Sequence, residues 1–145
     1  MFKIFLPLLI FTTTLATAMS SQWVTDIDNT RPYMEQHPAL VAAAEWKAHV
    51  LNTQYNGVIQ HCIDDECPNA MVSRFGCETG YDSSGNNVES LVAGTIDITV
   101  AYNSLKESPQ HRPHILGIGF HNDQVHYGVA QEGLIYVFLS AKCYD

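Results

Sequence analysis

Four cysteines constrain the fold of this chain more than any other feature. Cys62 and Cys67 are five residues apart, Cys77 follows ten residues later, and Cys143 lies near the end of the sequence. In an exported protein an even number of cysteines indicates disulfides, and four cysteines allow three pairings. We favour Cys62–Cys67 with Cys77–Cys143, because the second bridge would close the longer segment and hold the C-terminal end against a distant loop. A zinc site is disfavoured, since no C-x-x-C pair occurs.

The N-terminal segment predicts export. Lys3 forms a short positive region, residues 4–11 are apolar, and Ala16-Thr17-Ala18 matches a small-x-small cleavage signal. The apolar run is too short to cross a membrane. We therefore expect a signal peptide over residues 1–18, one domain over residues 19–145, and a secreted or periplasmic location. An uncleaved N-terminal anchor is the alternative.

Size and charge narrow the classes of partner. Removing 18 of the 145 residues leaves 127, which suits one domain with a single core. Lys3 is the only charged residue before Met19, so the formal charge would change from −8 to −9. The basic residues do not cluster, so phosphate backbones and anionic membranes would be repelled. We expect no nucleic-acid partner and no integral membrane segment after cleavage.

The first half of the domain combines one clear helix with a long loop. Residues 19–36 are polar and mixed, and we interpret them as an irregular leader. Pro38 suits the first turn of a helix that Asn56-Gly57 would end. Its apolar residues recur at spacings of three and four, which places them on one face: Val41, Ala44, Ala48, Leu51 and Tyr55. Residues 57–87 carry three cysteines and many turn residues, which indicates a cross-linked loop.

The second half is ambiguous at first and then rich in strands. Residues 95–108 alternate like a strand at Ile96 and Ile98, yet they also show helical spacing, with Thr95 as an N-cap. Residues 124–131 and 134–141 are β-rich runs joined by Glu132-Gly133, which predicts an antiparallel hairpin. Helices segregated from an antiparallel sheet indicate the α+β class.

Several short blocks resemble the CAP superfamily of SCP-like domains. SPQHRPHILG, residues 108–117, resembles the S-P-G-H-R-x-N-I-L block of bacterial members, and this is the most specific match. GNNV (85–88), VIQHC (58–62) and SRFGCETGY (73–81) resemble the family's G-E-N-I block, its upstream histidine and its R-x-x-x-x-G-Y stretch. The resemblance covers roughly residues 38–139. It implies an α-β-α sandwich with a central antiparallel sheet flanked by helices, and a helix over residues 95–108.

The resemblance also implies a cleft between two histidines. In the family, the histidines that match His61 and His111 converge with acidic partners, and some members hold a divalent metal there. We therefore take His61 and His111 as the candidate catalytic or metal-binding residues, with Asn86 and Glu89 as further residues of the cleft. The family's acid at the second position of G-E-N-I is Asn86 here, and an amide cannot act as a general base.

A second family acid is also replaced, by Leu105. The expected set of two histidines and two acids is then reduced to the two histidines, unless Glu89 or Glu107 turns into the cleft in place of a lost acid. Ser108 and Pro109 would cap and begin a short helix that projects His111 towards the cleft, and Pro113 would limit its length.

Other candidate sites have ordinary structural explanations. His114 lies three residues after His111, and we predict a structural role for it. His121 and His126 would be exposed polar residues, with a loop metal site as the alternative. Trp46 is predicted to lie in the core. Three consecutive acids form a loop tip, with a calcium site as the alternative: Asp64, Asp65 and Glu66.

The leading functional hypothesis is an exported CAP-like binding or interaction domain with a degenerate two-histidine cleft. Its partner would be a small apolar ligand or a protein. The alternative is an exported hydrolase, with or without a metal, that acts through His61 and His111. A third hypothesis is a disulfide-stabilised scaffold whose cleft has no function. No cofactor is firmly implied, and zinc at His61 and His111 is the metal hypothesis. A serine hydrolase is disfavoured, since no G-x-S-x-G motif and no nucleophile beside His111 is identified.

Overall fold

A computed structural model describes the backbone of residues 13–144 and the side chains of residues 22–144. The predicted signal peptide lies mostly outside the described residues, and its cleavage stays a prediction. Along the chain the elements are α1 (Thr13–Thr30), β1 (Glu35–Gln36), α2 (Pro38–Thr53), α3 (Pro68–Arg74), β2 (Glu89–Ala93), α4 (Ile98–Glu107), α5 (Arg112–Leu116), a 3-10 helix (Gly119–Asp123), β3 (His126–Glu132) and β4 (Ile135–Ala141).

One four-stranded sheet in the order β1-β3-β4-β2 forms the centre of the fold. β3 and β4 form the predicted antiparallel hairpin, β2 adds antiparallel to β4, and β1 adds two parallel pairs to β3. The hairpin turns at Gly133 and Leu134 rather than at Glu132-Gly133, because Glu132 still pairs with Ile135. Gly133 has a φ of 57°, which glycine adopts without steric cost.

Helices cover both faces of the sheet, which confirms the α-β-α sandwich. α2 packs across β3 and β4 on one face, whereas α1, α4 and α5 pack on the other. Each face has its own apolar cluster, with Leu40 and Leu51 of α2 on one side and Ile27 of α1 with Leu105 of α4 on the other. α2 approaches β3 so closely that a Cβ at Gly128 would overlap the backbone of Leu40.

The prediction of an irregular leader over residues 19–36 is wrong, because α1 continues to Thr30 and β1 follows it. Trp23 and Ile27 are four residues apart, so a helix places both on one face, and both are buried against the sheet. Tyr136 stacks on Trp23 with ring centroids 5.8 Å apart. The polar composition of this segment concealed two apolar anchors.

α2 and α4 form where the sequence analysis places helices, with local differences. The buried face of α2 includes Leu40 and Ala43, whereas Val41 is only half-buried. α4 is capped by Asp97, whose carboxylate accepts from the backbone N–H groups of Thr99 and Val100. The predicted cap, Thr95, instead accepts from the N–H of Asp97.

Both predicted disulfides are present. Cys62 is bonded to Cys67, and Cys77 is bonded to Cys143 across 66 residues. The second bridge joins the segment after α3 to the segment that follows β4. α3 itself was not predicted, because we interpreted its surroundings as a continuous loop. Within the described part of the chain, no helix is long and apolar enough to cross a membrane.

Candidate functional site

The residues of the predicted cleft lie together in one cavity of about 170 Å³. Its walls come from the loop after α2, the turn before β2, the start of β2, and the segment around α5. All four residues named from the sequence contribute, and Ser90, His114 and His121 also line it: His61, Asn86, Glu89 and His111. Their role in binding stays a prediction.

Glu89, named from the sequence as a cleft residue, supplies a buried carboxylate that contacts His61. It is the first residue of β2, its side chain is 0% exposed, and its Oε1 lies 2.9 Å from His61 Nδ1. Both family acids are replaced as expected, and of the two carboxylates considered in their place it is Glu89 that lies beside His61. Glu107, the other carboxylate considered, is exposed at the end of α4, and Leu105 is buried in the apolar cluster beneath it.

Lys47 lies beneath this pair and was missed entirely. Its Nζ is 3.4 Å from Glu89 Oε2 and donates a hydrogen bond to the main-chain oxygen of His61. The lysine side chain is only 1% exposed. Burial lowers the pKa of Lys47, and the charge of Glu89 acts in the opposite direction. A lysine within the apolar stripe of α2, between Ala44 and Ala48, was the signal that could have revealed it.

Asn86 closes the turn before β2 and has a fixed amide orientation. Its Oδ1 accepts from the N–H of Glu89 at 2.9 Å, and its Nδ2 donates to the carbonyl of Glu89 at 3.1 Å. Nδ2 is also 3.0 Å from His61 Nδ1. That ring nitrogen cannot accept from an amide and donate to Glu89 at once. We assign its proton to the hydrogen bond with Glu89, because a buried carboxylate is the stronger acceptor.

This assignment leaves the lone pair of His61 on Nε2. The side chain of His61 is 41% exposed, and among the described residues Nε2 has no hydrogen-bond partner. An imidazole held through Nδ1 by a carboxylate is an arrangement that suits a hydrogen-bond acceptor, a general base or a metal ligand.

His111 is positioned differently from the prediction. Ser108 ends α4 rather than capping a new helix, and α5 begins at Arg112 with Pro113 in its first turn. Proline lacks an N–H and therefore suits that turn, so it begins the helix instead of limiting it. The Oγ of Ser108 lies 2.8 Å from His111 Nδ1, so a hydroxyl does lie beside this histidine. Burial lowers the pKa of His111, and the nearby His61 lowers this pKa further by a smaller amount.

His114 and His121 line the inner part of the cleft. His114 Nδ1 is 2.7 Å from Ser90 Oγ and its Nε2 is 2.6 Å from Ser140 Oγ. Complete burial holds the pKa of His114 well below its ordinary value. His121 is buried rather than exposed, and its Nδ1 lies 2.9 Å from Gln124 Oε1. Burial also lowers the pKa of His121.

The other candidate metal sites are not assembled. His126 accepts from the N–H of Cys143 and lies against the ring of His37, so it does not join His121. Among the described residues, only His37, Cys77 and Cys143 bring three potential ligand atoms within 4.8 Å of one another. The two cysteines form a disulfide and therefore offer no thiolate.

Two of the three acids at the loop tip contact other side chains, so the tip does not form the calcium site considered above. Glu66 forms a two-point ion pair with Arg74 at 2.7 and 2.8 Å, and Asp64 accepts from the hydroxyl of Tyr55. Trp46 is half-buried and carries the guanidinium of Arg74 over its ring at 4.6 Å. This tryptophan packs at the edge of the α2 cluster rather than in its centre.

The donors of the cleft do not fit a tightly held zinc ion. Glu89 Oε1 is directed at His61 Nδ1, so this oxygen serves the histidine rather than a metal. Ring nitrogens of His61 and His111 then remain as the protein donors, whereas zinc sites in proteins use three or four.

Comparison with known proteins supports the fold. No protein-family model matches the chain, and no curated protein matches it. A solved structure does match: the crystal structure of an extracellular protein containing an SCP domain from Bacillus anthracis str. Ames, with a TM-score of 0.61 and 14% sequence identity. The match covers 88% of this chain and 41% of that chain, so this chain spans less than half of that protein. At this identity the likeness concerns the fold alone, and it shows that the chain has an SCP-like, or CAP-like, fold.

Proposed function

We propose that this chain is an exported SCP-like domain that binds a small polar ligand, or one polar group of a protein partner, in the cleft between His61 and His111. The observation that carries this proposal is the hydrogen bond between buried Glu89 and His61 Nδ1, which leaves Nε2 available. Burying a carboxylate beside a half-exposed histidine has a desolvation cost, and buried charge partners of this kind in a cleft are typical of functional sites.

Export is supported by the disulfides and by the structural neighbour. Both disulfides would require an oxidising compartment. The neighbour is described as an extracellular protein. We propose a secreted or periplasmic location, and a relation to the bacterial S-P-x-H-R form of the family that rests on residues 108–112.

The lining of the cleft favours a polar occupant over the apolar ligand expected from the sequence. Histidine, asparagine, glutamate and serine side chains form most of its surface. Its volume of about 170 Å³ corresponds to roughly five or six water molecules at ~30 Å³ each. A small polar compound, or the end of one side chain from a partner, has this size and chemistry.

A titration with small polar compounds tests this proposal. We expect that a series of amines, alcohols, amides and carboxylates contains a class that shifts the imidazole resonances of both His61 and His111. His61→Gln should abolish the shift of the His111 resonances. His49→Gln, at an exposed histidine on α2, should leave the shifts of both histidines unchanged. If no class shifts either resonance, the proposal fails.

A hydrolase is the second candidate, favoured by the same Glu89–His61 pair. A carboxylate that orients an imidazole is typical of general-base sites, and His61 Nε2 would take a proton from water. Ser108 lies beside His111 at 2.8 Å, although it is oriented by the end of α4. Turnover of ester or amide substrates that is lost in Glu89→Gln would favour this candidate over simple binding.

A further inference from the structure

Among the described residues, Lys47 has one close acidic neighbour. Its amine is buried, and the carboxylate within ion-pair distance is that of Glu89, at 3.4 Å. Glu66 also acts on Lys47, but it is bound to Arg74. Because a buried amine without a counter-charge is strongly disfavoured, Lys47 and Glu89 stabilise one another in their charged forms.

The two oxygens of Glu89 have separate neighbours. Oε2 lies near Lys47 without a hydrogen bond, and Oε1 lies near His61 Nδ1. Lys47 also donates to the main-chain oxygen of His61. The lysine therefore contacts the backbone of His61 directly and is linked to its imidazole indirectly, through Glu89.

We infer that Lys47 is a positioning residue of the cleft: through its contacts with Glu89 Oε2 and the main-chain oxygen of His61, it holds Glu89 Oε1 as an acceptor against His61 Nδ1 and so keeps the lone pair of His61 on Nε2. This inference rests on the proposed function, because an available Nε2 matters only if the cleft binds something. The charged and titratable groups that face His61 are Lys47 from α2, Glu89 from β2 and His111 from the start of α5.

Removal of Lys47 should reverse this tautomer. Without the ammonium, one proton from solvent should bind either to the buried carboxylate or to the imidazole beside it, because the carboxylate has lost its counter-charge. A protonated Glu89 would donate to Nδ1 and move the ring proton to Nε2. An imidazolium would carry protons on both nitrogens. In either case Nε2 gains a proton and loses its lone pair.

Imidazole nitrogen NMR on the free protein tests the inference at about pH 7, near the range where histidine titrates. In the wild type we expect His61 to show a protonated Nδ1 and an unprotonated Nε2. In Lys47→Met we expect a protonated Nε2. Lys142→Met makes the same chemical change at an exposed lysine and should leave the His61 spectrum unchanged.

A second variant keeps the test valid if Lys47→Met does not fold. In Glu89→Gln the amide should turn its oxygen towards Lys47 and its NH₂ towards His61, which again places the ring proton on Nε2. If Lys47→Met, or failing that Glu89→Gln, retains the wild-type tautomer, Lys47 has only a structural role. A purely structural lysine would lower the melting temperature without changing these resonances.

The spectra separate this inference from the proposed function. They are recorded without a ligand, so they report on the tautomer whether or not the cleft binds anything. The expected tautomer change would stand even if the titration with polar compounds failed. Conversely, binding that persists in Lys47→Met with an unchanged tautomer would overturn the inference and leave the proposed function intact.

Discussion

Two groups of polar side chains meet at the cleft. One group bonds a single ring nitrogen of its histidine, His61, whereas the other bonds both ring nitrogens of His114. The charged group is half-exposed at His61 and consists of Lys47, Glu89 and His61. The neutral network is buried, contains hydroxyls, amides and imidazoles, and consists of Ser90, His114, His121, Gln124 and Ser140.

The neutral network uses both ring nitrogens of His114. Ser140 donates its hydroxyl proton to Gln124 Oε1 and must therefore accept from His114 Nε2. His114 Nδ1 then accepts from Ser90. Since neither nitrogen is free, His114 can support the cleft but cannot bind a ligand. The charged group leaves one nitrogen of His61 available, which is why we place function there.

Removal of a disulfide should cause the largest loss of stability. It also tests the comparison, because each bridge lies next to one of the two groups. Cys143 follows Ser140 of the neutral network by three residues, and Cys62 is adjacent to His61. A loop of 66 residues corresponds to roughly 4 kcal/mol of stabilisation, and a loop of five to roughly 2 kcal/mol. We therefore expect Cys77→Ala/Cys143→Ala to lose about twice the unfolding free energy of Cys62→Ala/Cys67→Ala.

Denaturant unfolding of both double variants measures this difference. Equal losses would contradict the loop-length argument. A shift of the His61 resonances in the Cys62 variant, but not in the Cys77 variant, would show that the short bridge serves the charged group.

Acid should destabilise the neutral network. The pKa of His114 is held well below its ordinary value by burial, and those of His111 and His121 are lowered too. Below about pH 6.5 these histidines become protonated in the unfolded chain but stay neutral in the folded chain. The free energy of unfolding is therefore retained above this pH and falls as the pH falls. The fully buried His114 should contribute most to this loss, which for one histidine is at most about 1.4 kcal/mol per pH unit.

Unfolding free energies at several pH values check this expectation. His114→Gln should flatten the dependence between pH 6.5 and 5, whereas His49→Gln, at an exposed site, should not. An unchanged slope in His114→Gln would mean that His114 is not the group that resists protonation.

A smaller change in stability, seen only when zinc is added, should follow from giving the charged group a second carboxylate. The wild type offers too few donors for zinc, so chelator should leave its melting temperature unchanged. Asn86→Glu would add an oxygen donor near His61, at the cost of the hydrogen bonds that fix the turn before β2. Zinc at ten times its dissociation constant would then stabilise the variant by about 1.4 kcal/mol.

Thermal melts of both proteins with zinc and with chelator measure this effect. A large zinc-dependent rise in the wild type would show that the cleft is a metal site as it stands, and would favour the hydrolase. No rise in the variant would count against any metal role for His61 and His111.

The sequence predicted those parts of the molecule that depend on local pattern. α2 and the β3–β4 hairpin follow from periodicity, and the disulfides from cysteine spacing. The helix over residues 98–107 required the family resemblance, because alternation and helical spacing coexist there. α1 was missed because, among its described side chains, the main contacts with the sheet come from Trp23 and Ile27.

The charged group could be predicted only in part: the sequence named His61 and Glu89 as cleft residues, whereas their pairing and the contribution of Lys47 depend on tertiary contacts. The resemblance directed attention to Asn86 as a lost acid, whereas the carboxylate lies three residues further on, at Glu89. Its burial requires β2 to enter the sheet, and its counter-charge comes from α2, more than forty positions earlier. Asn86 contributes by hydrogen-bonding the backbone of Glu89, a role that spacing alone does not reveal.

The smallest expected effect comes from an ion pair on the surface, which sharpens the contrast with the buried charged group. Glu66 and Arg74 are joined at 2.7 Å, and this hydrogen bond lowers the pKa of Glu66. The Arg74 side chain is 46% exposed, so water screens the pair and we expect Glu66→Gln to cost about 0.2–1 kcal/mol. The loss should shrink in high salt, since exposed charges are screened. Glu89→Gln makes the same substitution at a side chain that is 0% exposed, and its effect should hardly depend on salt. Urea unfolding of both variants at low and high salt compares them directly. If salt changes the loss of unfolding free energy equally in the two variants, then Glu89 is solvated in the folded protein. The charged group would then not be the buried ion pair that we infer positions His61.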